Sequence, residues 1–333
     1  MVFFLTPGWA QQVKSLYRVE VPVASQEASD RAQGLRVALI DVLVRASGRS
    51  DIATVPAIES QLKSPENWVN EFGYIVPAAT SDEALRLWVR FDSDGIRRLL
   101  GEAGVAVWGD ERPLILSWMV SQVSQEAHVL TAEQDAALVA AFRDAARRYA
   151  LPVVFPMMDL SEMTHIGTAA ILRQDYPLLL EAAKRYGSRT ILSGQLLSEG
   201  QGLRLTASLQ LADGDHWEWD LTGKDASEVF AALADRMASI LSARYATETA
   251  AEQVSETHLT INGIQGAEDM NALTEYLQHF ASVTGVDVLQ IEGTRIVLNL
   301  HLRGEFATFA REAGSGVRLL PVPGQPLEYQ WKG

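Results

Sequence analysis

Two stretches near opposite ends of the chain repeat one plan. Leu85-Arg86-Leu87-Trp88-Val89-Arg90-Phe91 alternates apolar and polar residues. An amphipathic segment from Ile96 to Ala103 follows, then Gly104, then Val105-Ala106-Val107-Trp108. Further on, Ile296-Val297-Leu298-Asn299-Leu300-His301-Leu302 alternates likewise, followed by a helical segment from Phe306 to Ala313, Gly314, and Val317-Arg318-Leu319-Leu320. A period of two sends successive side chains to opposite faces of a sheet, and a period near 3.6 lays one stripe along a helix. The repeated strand–helix–strand plan therefore predicts small α+β modules on either side of a middle domain. Modules of that kind usually bind partners rather than transform substrates.

The chain has 333 residues, enough for two or three domains, with 47% hydrophobic and 21% charged residues. Its net charge of −14 repels phosphate backbones, which argues against nucleic acid as a partner. The densest basic cluster, Arg143, Arg147 and Arg148, reads as a solvated helix face. With no cysteine, there is neither a disulfide scaffold nor a thiolate metal site nor a cysteine nucleophile. No apolar run approaches the roughly 20 residues of a membrane-spanning helix. At the start, Met1-Val2-Phe3-Phe4-Leu5 is apolar, and Gly8 and Ala10 match the small residues of a signal-peptidase site. The basic start and full apolar core of a signal peptide are missing. Residues 1–12 therefore read as the tail end of an export signal or as a frayed terminus.

The N-terminal module spans 13–110. A strand at Leu16–Val23 leads into a helix with Leu35, Leu39, Ile40, Val42 and Leu43 on its stripe, ending near Gly48. A short helix over Ile58–Leu62 and a strand over Phe72–Val76 precede the Leu85–Trp108 unit, giving the order β-α-α-β-β-α-β. That is a ferredoxin-like, split βαβ arrangement with an extra helix. The central domain spans 111–246 and reads as α/β with a mixed sheet. Leu114–Val120 is nearly all apolar, as in a strand covered on both faces. Thr131 and Gln134 form a capping-box pattern, and Asp213-Gly214 marks a hairpin. Leu203, Leu205, Ala207, Leu209 and Leu211 alternate with Arg204, Thr206, Ser208 and Gln210, a strand with one apolar face. Residues 247–255 form a polar linker. The C-terminal module, 256–333, reads as βαββαβ with an added end strand.

Motifs that would carry chemistry are scarce. Asp92-Ser93-Asp94-Gly95 fails as a calcium loop, because the flanking ligand positions are Arg90 and Gly101. It reads instead as a helix N-cap. Asp213-Gly214-Asp215-His216 reads as a turn. None of the six histidines has a partner four residues away on a helix face, and no nucleophile elbow or phosphate-cradling loop exists. No carboxylate pair stands out from the acidic background. The expectation is no catalytic residue, no metal site and no cofactor. His258 and His301 fall at outward positions of neighbouring strands, close enough in plan to approach each other, and are candidates for partner contact, weighed against two exposed sheet histidines. Trp88, in an alternating strand, and Trp331, near the terminus, are candidate aromatic anchors, weighed against a place in the core.

Leu16–Val23, then Arg36–Arg45 with Ser47-Gly48, then Arg112-Pro113-Leu114 with Trp118, and Leu192-Ser193-Gly194 before the hairpin together resemble proteobacterial envelope proteins catalogued as domain-of-unknown-function family 2066. The resemblance implies an exported, periplasmic protein and assigns no catalytic residue. The middle domain is also similar in element order to the first domain of TolB and to curli-secretion-type lipoprotein folds, which is a likeness of fold alone. The expected function is a non-enzymatic interaction or scaffolding protein that binds an envelope protein or a cell-wall component. The alternatives are a hydrolase-like envelope enzyme with a site assembled from dispersed Asp, Glu and His, and a small-ligand binder at an inter-domain cleft.

Overall fold

The computed structural model describes residues 16–77, 84–124, 126–246 and 254–333. The apolar start with Gly8 and Ala10, and residues 247–253 of the expected linker, lie outside them. The fold is mixed α+β, with antiparallel and mixed sheets.

The N-terminal region runs β1 (Arg18–Pro22), α1 (Ala28–Ser47), α2 (Pro56–Gln61), β2 (Val69–Ile75), β3 (Arg86–Phe91) and α3 (Ser93–Glu102). The strands form an antiparallel sheet in the order β1-β3-β2. Val19, Val21, Leu87 and Val89 point to the buried face, as alternation requires. Helix α1 buries Leu35, Ala38, Leu39, Val42 and Leu43 along one stripe. It stops at Gly48, whose φ of 71° is the left-handed conformation that glycine adopts without steric cost.

Val105–Trp108, expected as a fourth strand, forms none; only Val107 makes an isolated bridge. Its backbone is engaged elsewhere. Val105 N–H donates to Leu100 O at 2.9 Å and Trp108 N–H to Ala46 O at 2.7 Å, so the segment closes the ends of α3 and α1. The buried Trp108 side chain then plugs the core.

The central region runs β4 (Ile115–Gln122), β5 (His128–Val129), α4 (Ala136–Arg148), β6 (Val153–Val154), α5 (Leu160–His165), α6 (Thr168–Leu172), α7 (Tyr176–Ala183), β7 (Thr190–Glu199), β8 (Gly202–Gln210), β9 (His216–Gly223) and α8 (Ala226–Tyr245). The sheet order is β5-β4-β7-β8-β9, with β6 pairing to β4. The β4 pairings with β7 and β6 are parallel and the rest antiparallel, which makes the mixed sheet the sequence predicts. Strand β4 is buried on both faces over Ile115–Ser121. Thr131 accepts from Gln134 N–H at 3.2 Å, but this bond closes a turn before the helix: α4 starts at Ala136 with Asp135 at its N-cap, and Asp135, in the place expected of Gln134, accepts from Thr131 N–H at 3.2 Å. Leu116, Trp118, Val120 and Ile191 pack with Ile166, Ile171 and Leu179 into a core between the sheet and the α5–α7 segment.

The C-terminal region runs β10 (Val254–Asn262), α9 (Ala267–Gln278), β11 (Val283–Glu292), β12 (Arg295–Arg303), α10 (Phe306–Ser315), β13 (Leu319–Val322) and β14 (Gln325–Trp331). The sheet order is β11-β12-β10-β14-β13. The added last strand does not extend the sheet outward. It inserts beside β10, parallel to it, and leaves β13 at the edge. Leu259, Ile261, Ile296, Leu298, Leu300, Phe309 and Tyr329 form the buried side.

The chain divides into two compact units. One contains Glu111–Ala238 and Gly314–Leu319; the other contains the described residues up to Asp110, Ser239–Ala313 and Leu320–Gly333.

Candidate interaction surface

Strand β11 is an outer edge of the C-terminal sheet, and among the described residues one side of its backbone carries no ladder. All six residues from Asp287 to Glu292 are exposed. Three of them are large and apolar: Val288 is 45% exposed, Leu289 51% and Ile291 61%. The register explains why. Val288 stands opposite Leu298 and Ile291 opposite Ile296, and both partners on β12 are fully buried. The layer that covers Leu298 and Ile296 thus stops short of β11. A register shift between Val288 and Gln290 places Leu289 in a bulge. Bulges commonly end or redirect pairing at sheet edges. The only charged side chains in this stretch are Asp287 and Glu292, both acidic.

The opposite face of the same sheet holds the two histidines singled out from the sequence. His258 pairs in register with Asn299 and His301 with Glu256, so the two imidazoles are diagonal neighbours on one face. Diagonal neighbours of this kind stand roughly 7–8 Å apart at the backbone. His301 is held by carboxylates. Its Nε2 lies 2.7 Å from Asp287 Oδ2 and its Nδ1 3.6 Å from Glu256 Oε1. Asn299 Nδ2 donates to the same Glu256 at 3.2 Å. The Asp287 hydrogen bond, aided by both negative charges, raises the His301 pKa above the ordinary imidazole value. Gly285 makes room for the ring, since a Cβ there would lie 3.1 Å from His301 Cδ2. Among the described residues, no group of three or more His, Asp or Glu side chains is arranged to hold a metal ion.

Trp88 is half-buried on the outer face of the N-terminal sheet, opposite Gly73. A Cβ at Gly73 would lie 2.6 Å from Trp88 Nε1, so the indole covers the glycine of the next strand. The Arg18 guanidinium sits 4.9 Å from the ring centroid on the other neighbour. Arg86 pairs with Glu20 at 3.3 Å and Arg90 with Glu71 at 3.2 Å on the same face. Trp331 is 3% exposed and packs edge-on to Tyr276, with centroids 5.5 Å apart. Its side chain is part of the C-terminal core. Of the four candidates, the structure brings His258 and His301 onto one face and leaves Trp88 and Trp331 apart from them.

Asp92 caps α3 by accepting from Asp94 N–H at 3.3 Å, the role the sequence favours over a calcium loop. Asp213 likewise accepts from Asp215 N–H at 3.3 Å in a turn where Gly214 has φ 95°. The β11 edge itself went unseen in the sequence. Val286, Val288 and Ile291 look like ordinary core residues there, and only the strand order shows that this hairpin arm is outermost. The break in alternation at Leu289-Gln290 was the one available signal.

A family model described as a domain of unknown function (DUF8605) matches residues 10–109. The match covers the N-terminal region, and its description is not that of family 2066. No curated protein matches the chain. Among the described residues, no helix is long and apolar enough to cross a membrane.

Proposed function

We propose that this protein is a non-enzymatic interaction protein of the cell envelope, acting in the periplasm, and that β11 is where it receives its partner. The observation that carries the reading is the exposed apolar row Val288, Leu289 and Ile291 on a strand at the edge of its sheet. Natural edges are normally blunted by charge, proline or cover, and a long apolar one is a template for another strand. The partner is an extended protein segment that adds to β11 through main-chain hydrogen bonds. With Asp287 held by His301, Glu292 is the acidic side chain that favours a basic residue in the incoming segment.

The envelope assignment rests on the resemblance to family 2066 and on the apolar first residues with Gly8 and Ala10. On this reading the two end modules are divergent ferredoxin-like units, and the central domain is related in plan to the first domain of TolB.

The test is a photo-crosslinking residue placed at Leu289 or Ile291 in cells making the full-length exported form. One adduct of defined mass from both positions, absent when the probe sits at exposed Leu160, supports the reading. No adduct at either position, or identical adducts from all three, rejects it.

A further inference from the structure

The central sheet carries a second feature, independent of β11. One of its faces is polar across three strands. In register stand Gln195, Thr206 and Asp220 in one row and Ser193, Ser208 and Glu218 in the next. Above them the end of α6 and the turn into α7 leave a cleft of about 450 Å³, lined by Ile171, Leu172, Gln174, Gln195, Thr206, Glu218 and Asp220 among others. That volume falls within the roughly 300–1,000 Å³ of small-molecule sites.

The inner end of the face is buried. Ser193 and Trp118 are fully buried neighbours in register, yet Ser193 Oγ and Trp118 Nε1 have no hydrogen-bond partner among the described residues. Both lie behind the cleft, in the core, and not on its lining. Ser208, also fully buried, is spoken for by Tyr176 Oη at 2.6 Å. At the rim, Gln174 is a non-glycine residue at φ 55°, a conformation uncommon outside functional or tightly held loops.

The lining decides the ligand's charge. It contains two carboxylates, two amides and a hydroxyl, and no lysine or arginine. Asp220 is taken by Arg204, whose Nε donates at 2.8 Å, and Arg204 also reaches Glu199 at 3.3 Å. Glu218 has no ion-pair partner among the described residues and is exposed at the cleft. Anions are therefore disfavoured. Ile171 and Leu172 supply an apolar wall against which an alkyl stem would lie.

We infer that this cleft binds a small aliphatic amine, with its ammonium on Glu218 and its stem along Ile171 and Leu172. Gln195 and Thr206 offer acceptors for the remaining N–H groups. The ion pair is solvent-exposed, so affinity is modest and weakens with salt.

The test uses the full chain, titrated calorimetrically at low ionic strength with 1,5-diaminopentane and with 1,5-pentanediol as its uncharged counterpart. Saturable 1:1 binding of the diamine, at least about fivefold tighter than the diol, is expected, and Glu218→Gln should remove most of that preference. Leu172→Trp fills the cleft from an exposed position and should abolish binding without unfolding the chain. Equal binding of diamine and diol, no saturation, or binding that both variants leave unchanged would overturn the proposal. None of these outcomes bears on β11.

Discussion

Gly194→Ala is expected to be among the most damaging single-methyl additions in the central sheet. Gly194 pairs with Ala207 across β7 and β8, directly beneath the polar face. A Cβ at this position would lie 2.2 Å from Thr206 O, 2.9 Å from Ala207 Cα and 3.1 Å from Thr206 C. All three are backbone atoms, so no side-chain rotation relieves the clash. A tolerable C···O approach is about 3.3 Å, so β8 must retreat by roughly 1 Å. That retreat loosens about two ladder bonds at ~1 kcal/mol each, on top of about 1–3 kcal/mol of overpacking strain. Restricting the unfolded chain returns only ~0.5 kcal/mol. The net cost is about 3 kcal/mol. It should lower the urea midpoint of the central unit by about 1–2 M at an ordinary denaturant slope. Amide exchange at Thr206 and Ala207 should accelerate in parallel. The control is Gly314→Ala in α10, where an added Cβ meets nothing within 4 Å; it should stabilise by about 0.5–1 kcal/mol. A Gly194→Ala protein whose unfolding free energy stays within about 0.5 kcal/mol of the parent would refute the reasoning.

Glu162 is buried, accepts from Tyr186 Oη at 2.6 Å and Met158 N–H at 2.8 Å, and lies 3.4 Å from Arg185. Glu162→Ala orphans both donors and should cost about 3 kcal/mol in chemical denaturation, while Glu162→Gln should cost less. Because Tyr186 is pushed up to about 12 by burial and then by its bond to Glu162, the same substitution should lower its spectrophotometric titration midpoint. His301 should titrate by NMR above about 6.5, and Asp287→Asn should bring it down. The sign follows from the raised value. The His301 contribution to stability is complete below the unfolded pKa of about 6.5 and disappears as pH rises through the folded one. Gly73→Ala should displace Trp88 and shift its fluorescence, at a cost of about 1–2 kcal/mol; an unchanged emission spectrum would mean the indole does not cover that glycine.

Alternation made most strands legible. The sequence reading of Leu203–Leu211, with one apolar face, matches β8, and the apolar run at Leu114–Val120 matches β4. Helix α8 was visible from its length and β9 from the Asp213-Gly214 turn. Helices α5 and α6 were not assigned. They have 6 and 5 residues, under two turns each, which is too short to establish a period. Their starts depend on local bonds such as Glu162 N–H to Asp159 Oδ1 at 3.0 Å. The fourth N-terminal strand failed for a different reason. Val105–Trp108 has strand-like residues, but its N–H groups are claimed by the ends of two helices. The cleft was invisible because Gln195, Thr206, Glu218 and Asp220 come from three strands, and only register assembles them. The β11 edge was invisible because exposure of Val288 and Ile291 depends on strand order, which one sequence does not reveal.

The central claim, that β11 accepts a strand, is tested most directly by amide hydrogen exchange. The measurement compares the purified full-length chain alone with its complex with the crosslinked partner. Added pairing should slow exchange at the outward-facing amides of Asp287–Glu292, while those of β13, the opposite edge, stay as they were. Unaltered exchange along β11 in a complex shown to be saturated would mean that the partner sits elsewhere and that this edge is not its seat.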